Sequence, residues 1–157
     1  MYRDRKNSYG QEGNRINGQL ENIAKIVTYI ERGDGDLVSI FGSSGFIASF
    51  ASSSDSMGRT KAHQIRRFYD YLVSIDDTVR SGSGDHAFEK SAKLRLIRMV
   101  PLAAYSASPG RNLLGRDLYD FISKSAQAVS KQTGKDFLEG LSRFRDVYEA
   151  IVAYSKG

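Results

Sequence analysis

Hydrophobic residues recur at helical spacing in two segments, one near each end of the chain. Both stripes advance by four, three, four and three residues, which places their side chains on one face of an α-helix. The first stripe consists of Ile16, Leu20, Ile23, Val27 and Ile30. The second stripe consists of Phe137, Leu141, Phe144, Tyr148 and Ile151. The pattern predicts two amphipathic helices that pack as antiparallel partners in a bundle.

A third amphipathic helix is predicted over residues 60–79, and it contains the stretch KAHQIRRFYDYLVSI at 61–75. On a helical wheel its apolar side chains gather within about 80° of Ile65. These side chains are Phe68, Tyr69, Leu72, Val73 and Ile75. Arg67 falls on the opposite side, and Gln64 and Arg66 lie at the two flanks. We expect the apolar set to be buried and Arg67 to face solvent.

The rest of the chain also favours helices. Residues 88–107 are apolar around most of the wheel, which predicts a central buried helix that Pro101 kinks or interrupts. A further helical stripe consists of Leu114, Leu118, Phe121, Ile122 and Val129. For residues 37–58 we expect one short helix and a mobile Ser-rich loop. No window alternates convincingly at period two, so the predicted fold is all-α, a compact bundle of five to six helices.

The length and composition of the chain fit one domain. With 157 residues, of which 40% are hydrophobic, the chain can bury a core without a second domain. We expect a flexible N-terminal tail over residues 1–14 and a single helical-bundle domain over 15–157. No stretch has the length and apolarity of a membrane-spanning helix, so no membrane partner is expected. The absence of cysteine fits a reducing compartment and a cytoplasmic location.

Positive charge is concentrated in two parts of the chain. The first basic window, residues 59–67, and the second basic window, residues 90–116, contain no Asp or Glu. Together they hold ten of the 23 Lys and Arg residues, which leaves 13 basic residues against 18 acidic ones elsewhere. Such segregation is typical of a face that binds a polyanion such as nucleic acid. Charged faces are also common on ordinary protein surfaces, so the pattern alone leaves the partner open.

Residues that could carry out catalysis are few. The only imidazoles are those of His63 and His86, and we interpret His63 as a solvated or phosphate-facing residue rather than a general base. Asp76 and Asp77 are interpreted as a C-terminal turn of the third helix, because no third metal ligand follows at a recognisable spacing. The sequence GDGD at 33–36 lacks the length and the glutamate of an EF-hand loop. We therefore predict no catalytic residue, no metal site and no cofactor, and the protein is not expected to be an enzyme.

Tyrosine rings are further candidates for contact with nucleic acid, because every base can stack on an aromatic ring. Tyrosines at helical spacing usually belong to the core and keep only the hydroxyl in water. Core positions are expected for Tyr69, Tyr119, Tyr148 and Tyr154. Tyr71 and Tyr105 are the two exceptions and remain candidates for stacking.

Three stretches of the chain share a pattern with one known family. HQIRRFYDYL at 63–72 has glutamine, isoleucine, arginine, a basic residue, an aromatic residue and tyrosine in succession. KLRLIRMVPLAAYSASPGR at 93–111 is a leucine-rich basic segment with a proline four residues before a tyrosine and an arginine that closes the turn. FLEGLSRFRDVYEAIVAY at 137–154 ends in an alanine, isoleucine, valine, alanine and tyrosine run. In this order the stretches resemble the small subunit of type III-A CRISPR–Cas effector complexes, the Csm small-subunit family, although Leu102 stands where that family often has a lysine.

The resemblance implies a small, helical, non-catalytic protein that is present in more than one copy in the effector complex. Its partners would be the guide RNA and target RNA, the backbone and large subunits of the complex, and other copies of itself. The copies would bind the sugar–phosphate chain without sequence specificity and support antiviral recognition of the target RNA. The RNA-binding residues expected on this basis are Lys61, Gln64, Arg66 and Arg67 in the first basic window and Lys93, Arg95, Arg98 and Arg111 in the second.

Two other functions remain open from the sequence. A helical DNA-binding domain would use the same charges, but the Ser- and Gly-rich segments here are longer than the turn of a helix-turn-helix motif. An adaptor bundle that binds an acidic protein would also use them, because carboxylates and phosphates attract the same cations.

Overall fold

Helices account for all the regular secondary structure of the residues that the computed structural model describes, which are 19–53, 56–82 and 86–155. In chain order they are α1 (19–32), α2 (Leu37–Phe41), α3 (Phe46–Ala51), α4 (Ser56–Arg59), α5 (Ala62–Ser81), α6 (His86–Ile97), α7 (Met99–Ala107), α8 (Arg116–Ser130) and α9 (Gly134–Ser155). Three of these, α2 to α4, have six residues or fewer, and the other six are longer. The predicted all-α bundle of five to six helices is confirmed. The predicted N-terminal tail lies outside the described residues.

The C-terminal stripe forms the centre of the core. All five of its members, from Phe137 to Ile151, are fully buried in α9. The buried face of α1 is rotated slightly relative to the predicted stripe. Ile26, which is outside the stripe, is fully buried, whereas Leu20 is exposed and Val27 is only partly buried. Ile16 lies outside the described residues.

Contacts at both ends of α1 fix its direction. At its C-terminal end, the Gln132 side chain donates to Glu31 O (2.6 Å) and Arg143 Nε donates to Ile30 O (2.8 Å). At the other end, Gln19 Nε2 donates to Asp117 Oδ2 (3.2 Å) at the start of α8. The ends of α1 thus lie beside the corresponding ends of α8, and the two helices are parallel. Phe121 near the start of α8 contacts Tyr148 in the second half of α9 (6.2 Å between ring centroids), so α9 runs antiparallel to α8 and to α1, as predicted.

The helix predicted at 60–79 is α5, which packs on α6 and α9. The predicted wheel is largely confirmed. Ile65, Phe68, Leu72 and Ile75 are buried, and Tyr69 and Val73 are half-buried. The Tyr148 hydroxyl of α9 donates to Ile65 O (2.9 Å) and so attaches α9 to the first turns of α5.

The predicted interruption near Pro101 is confirmed, but the central burial of residues 88–107 is wrong. Proline has no N–H and its ring clashes with the carbonyl four residues earlier, so α6 ends at Ile97 and α7 begins at Met99. The face that packs on the core continues across this break and is composed mainly of small residues at steps of four and three. These are Ala92, Leu96, Met99, Ala103 and Ser106. Larger apolar residues lie on the other face and are exposed, namely Leu94, Ile97, Leu102 and Tyr105.

Residues 37–53 form two short helices, where the sequence predicted one. Asp36 caps α2, since Ser39 N and Oγ donate to Asp36 Oδ2 at 3.3 and 2.8 Å. The helix α3 buries Ile47 and Phe50 and packs on α9. Residues 54–55 of the predicted Ser-rich loop and residues 83–85 of the linker after α5 lie outside the described residues.

Candidate nucleic-acid interface

Two hydrogen bonds join the start of α5 to the segment that precedes α8. Lys61 N donates to Leu113 O (3.1 Å), and Gly115 N donates to the side chain of the buried Thr60 (2.8 Å). The first basic window therefore lies beside the end of the second basic window, although the two are far apart in sequence.

The turn after α7 brings Arg111 back over α7. Arg111 N and Asn112 N both donate to Ser108 O, at 3.0 and 2.8 Å, and Leu113 N donates to Ser106 O (2.9 Å). Asn112 takes a left-handed conformation (φ 51°), which asparagine tolerates better than most residues. As a result the Arg111 guanidinium lies 4.1 Å from the centroid of the Tyr105 ring, within the range of a cation–π contact.

A cavity of about 320 Å³ lies between α5, α7 and this turn. It is lined by Arg67, Phe68 and Tyr71 of α5, by Leu102, Tyr105 and Ser106 of α7, and by Arg111 and Leu113 of the turn. The cavity thus brings together one arginine from each basic window and the two tyrosines that the sequence left as stacking candidates. We use the name α5–α7 face for this cavity together with the exposed cations expected from the sequence at the start of α5, before α7 and in the turn, of which Arg67 and Arg111 line the cavity. These cations are Lys61, Arg66, Arg67, Arg98 and Arg111.

Arg95 lies next to this face and is held in place by uncharged groups. Its guanidinium donates to Ser74 Oγ (2.7 Å) and Thr78 Oγ1 (3.4 Å), and it lies 5.7 Å from the centroid of the Tyr71 ring. The Tyr71 hydroxyl donates to Arg95 O (2.9 Å). Since none of these partners is a carboxylate, Arg95 adds an unneutralised positive charge beside Tyr71.

The five cations of the α5–α7 face are exposed. Among the described residues none of them forms an ion pair with a carboxylate. An exposed arginine or lysine without a carboxylate partner keeps its hydrogen-bond donors available for an anionic ligand.

Gln64 and Lys93 are placed differently from the other expected RNA-binding residues. Gln64 is buried, with 3% of its surface exposed, so the flank of α5 on which the sequence places it is covered and does not face outward as expected. Lys93 Nζ lies 3.7 Å from Glu89 Oε2 and 5.2 Å from the centroid of the Phe137 ring, which directs it towards α9. Neither side chain belongs to the α5–α7 face.

Asp76 and Asp77 belong to α5 itself and not to a turn after it, which corrects the interpretation from sequence. Arg145 NH1 lies 3.0 Å from Asp76 Oδ2 and 2.9 Å from Asp77 Oδ1, and Arg80 Nε lies 3.0 Å from Asp76 Oδ2. The hydrogen bond to Asp76 raises the pKa of the Arg145 guanidinium above its usual value. These carboxylates are therefore neutralised by arginines that connect α5 to α9.

No group of His, Cys, Asp and Glu in 19–53, 56–82 and 86–155 is arranged to hold a metal ion. Within those ranges, no helix combines the length and apolarity needed to cross a bilayer.

Sequence reasoning missed part of the cavity lining, including Phe68 and Leu113. It also missed that Leu102 is exposed beside Tyr105, because it counted large apolar residues as the core of α6 and α7. The signal was present in the chain, since Ala92, Leu96, Met99, Ala103 and Ser106 repeat the four-and-three spacing of the other buried stripes.

The chain was compared with known families, proteins and structures. The model of the Csm2 Type III-A family matches residues 47–157, a range that includes the entire α5–α7 face. Neither the comparison with curated proteins nor that with solved structures gives a match.

Proposed function

Because the chain belongs to the Csm2 Type III-A family, and is thus a small subunit of a type III-A CRISPR–Cas complex, we propose that it binds paired guide and target RNA through the α5–α7 face. The contacts are made to the sugar–phosphate chain, without sequence specificity and without catalysis. The other partners in this proposal are the remaining subunits of the complex and further copies of the chain itself.

The observation that carries the proposal is the meeting of the two basic windows at one cavity. Arg67 comes from the first window and Arg111 from the second, and both line the same hollow. Sequence segregation of charge is ambiguous by itself, but Arg67 and Arg111 bring cations from two distant segments to one surface. Such a surface suits a phosphate chain, which presents charges at regular intervals.

The chemistry of the five cations favours contact with phosphate over contact with bases. Exposed guanidinium and ammonium groups contact backbone phosphates, which carry no sequence information. In addition, the major groove of an RNA duplex is too deep and narrow for side chains to read. Binding that is independent of sequence follows from this arrangement.

The test compares the loss of two charges on the face with the loss of two charges elsewhere. Arg66→Ala with Arg67→Ala removes two cations from the α5–α7 face, whereas Lys124→Ala with Lys131→Ala removes two exposed cations near Glu31, one within α8 and one directly after it. Binding to duplex RNA of two unrelated sequences is measured by titration at several salt concentrations. We expect the first variant to lose affinity for both sequences equally and the second to bind nearly as the wild type does.

Two results would contradict the proposal. An equal loss in both variants would mean that net charge matters and the face does not. A wild-type affinity that does not change with salt would mean that phosphate neutralisation contributes little to binding.

A further inference from the structure

The cavity of the α5–α7 face has more apolar surface than phosphate binding requires. Phe68 lines it and is buried, and Tyr71 lines it and is half-buried. Leu102 and Tyr105 line the cavity while remaining 40% and 57% exposed. Exposed apolar side chains around a hollow favour an occupant that brings an apolar surface of its own.

The cavity is also bordered by two guanidinium groups. Arg67 and Arg111 both line it, and neither forms an ion pair within the described residues. The Arg111 guanidinium lies 4.1 Å from the centroid of the Tyr105 ring and is exposed, so its N–H donors are available to an anion. The site therefore combines an apolar and aromatic interior with a cationic border.

The Tyr71 ring is held in one orientation. Its hydroxyl donates to the backbone Arg95 O in α6 (2.9 Å). The Arg95 guanidinium, which donates to Ser74 and Thr78 of α5, lies 5.7 Å from the centroid of the Tyr71 ring. An aromatic wall that is fixed before binding loses little conformational entropy when a ligand packs against it.

We propose that this cavity holds one unstacked base of the bound RNA, while a neighbouring phosphate binds Arg67 or Arg111. This proposal rests on the RNA-binding function proposed above. A cavity of about 320 Å³ is at the lower end of the range for small-ligand sites and so suits a single nucleotide rather than a longer segment. Since every base has a π-face, such a site retains a base without reading its identity. The apolar side chain of a protein partner is the competing occupant, but it brings no anion to match the two arginines.

The experiment uses three RNA duplexes that differ at one position. The first is fully paired, the second has a single unpaired nucleotide, and the third has an abasic unpaired residue with the same number of phosphates. The readout is the affinity for the unpaired nucleotide divided by the affinity for the abasic residue, measured for each protein. Phosphate contacts cancel in this ratio, which isolates the contribution of the base.

The wild type is expected to give a ratio of about ten, as one stacked base contributes on this order. Tyr105→Ala removes a wall of the cavity, and Leu102→Trp fills the cavity while keeping both arginines. Both variants are expected to reduce the ratio to near one. Leu94→Ala is the matched control, because Leu94 is as exposed as Tyr105 (59% against 57%) but does not line the cavity, and it should keep the wild-type ratio.

The possible failures are distinguishable. A wild-type ratio near one, together with salt-dependent binding of the paired duplex, would contradict the base site but not the proposed RNA-binding function. The same result is expected if the cavity holds a protein side chain. A ratio that persists in both cavity variants would likewise contradict the base site. Failure to bind any of the three duplexes would overturn both proposals.

Discussion

Asp76 is the one charged residue with a fully buried side chain in the described parts of the chain, and arginines from two helices neutralise it. Arg145→Met would remove the cation from α9 and leave Asp76 with the more exposed Arg80. Breaking a buried ion pair usually costs about 3–5 kcal/mol, and because Arg80 remains we expect a loss of about 2 kcal/mol in the free energy of unfolding. Urea denaturation measures this loss.

Lys135→Met is the control for that substitution. Lys135 Nζ lies 3.7 Å from Glu139 Oε1, but its side chain is 86% exposed. Ion pairs of this kind contribute between about 0 and 1 kcal/mol, so the control should unfold nearly as the wild type does. A loss in the control as large as that of Arg145→Met would contradict the distinction between the two pairs.

Asp146 predicts a pH dependence of stability with a defined sign. Partial burial of its carboxylate, and secondarily the nearby charge of Glu149, raise the pKa of Asp146 above its ordinary value of 3.8. The carboxyl group of Asp146 therefore stays protonated to a higher pH in the folded protein than in the unfolded chain. As the pH rises from below 3.8 through the raised pKa, ionisation of Asp146 lowers the free energy of unfolding.

Asp146→Asn should consequently raise the melting temperature at pH 7 relative to the wild type. The difference should shrink at low pH, where the aspartic acid is protonated in both the folded and the unfolded state. Thermal unfolding of both proteins across pH 3 to 7 measures it. A difference that grows as the pH falls would show that the charged form of Asp146 is stabilising.

Helix α5 carries one carboxylate on the side that faces the proposed RNA. Asp70 is exposed and lies three residues after Arg67, so it is on the same side of the helix. Asp70→Asn should strengthen binding to duplex RNA by about two- to fivefold, because one surface charge contributes roughly 0.5–1 kcal/mol. Asp34→Asn removes an equally negative, exposed residue outside the α5–α7 face and should have little effect. Weaker binding by Asp70→Asn would place the RNA on another side of α5.

At the scale of the elements, periodic stripes predicted the helices well, since burial in a bundle follows the 3.6-residue period. They failed for α6 and α7, where three of the five buried positions hold Ala or Ser and several large apolar side chains are exposed. The wheel placed Arg67 correctly because α5 is long and regular. It misplaced Gln64 because burial at the flank of a helix depends on the neighbouring element.

The position of Arg111 could not be predicted from the sequence. Its place over Tyr105 depends on the left-handed conformation of Asn112 and on the hydrogen bond from Leu113 N to Ser106 O.

At the scale of the whole molecule, the salt dependence of RNA binding should report the number of cations that contact phosphate. With about four to six contacts per protomer, the logarithm of affinity should fall with the logarithm of salt at a slope of roughly −3 to −5. Arg98→Ala should reduce that slope by about one unit. Lys93→Ala removes the same charge but should reduce it less, because Lys93 is paired with Glu89. Equal slopes for the two variants would mean that net charge alone sets the affinity.

The two hydrogen bonds between the start of α5 and the segment before α8 have a kinetic consequence. Thr60 and Gly115 are 55 residues apart in the chain, and the Gly115 amide is bonded to a buried side chain. That amide and the Lys61 amide can exchange hydrogen for deuterium only when the two segments separate. Their exchange rates therefore measure how often the two segments that carry the basic windows separate. A polyanion that bridges both segments should slow the exchange of both amides to the same extent. The amides at the exposed start of α2 should continue to exchange at their original rate.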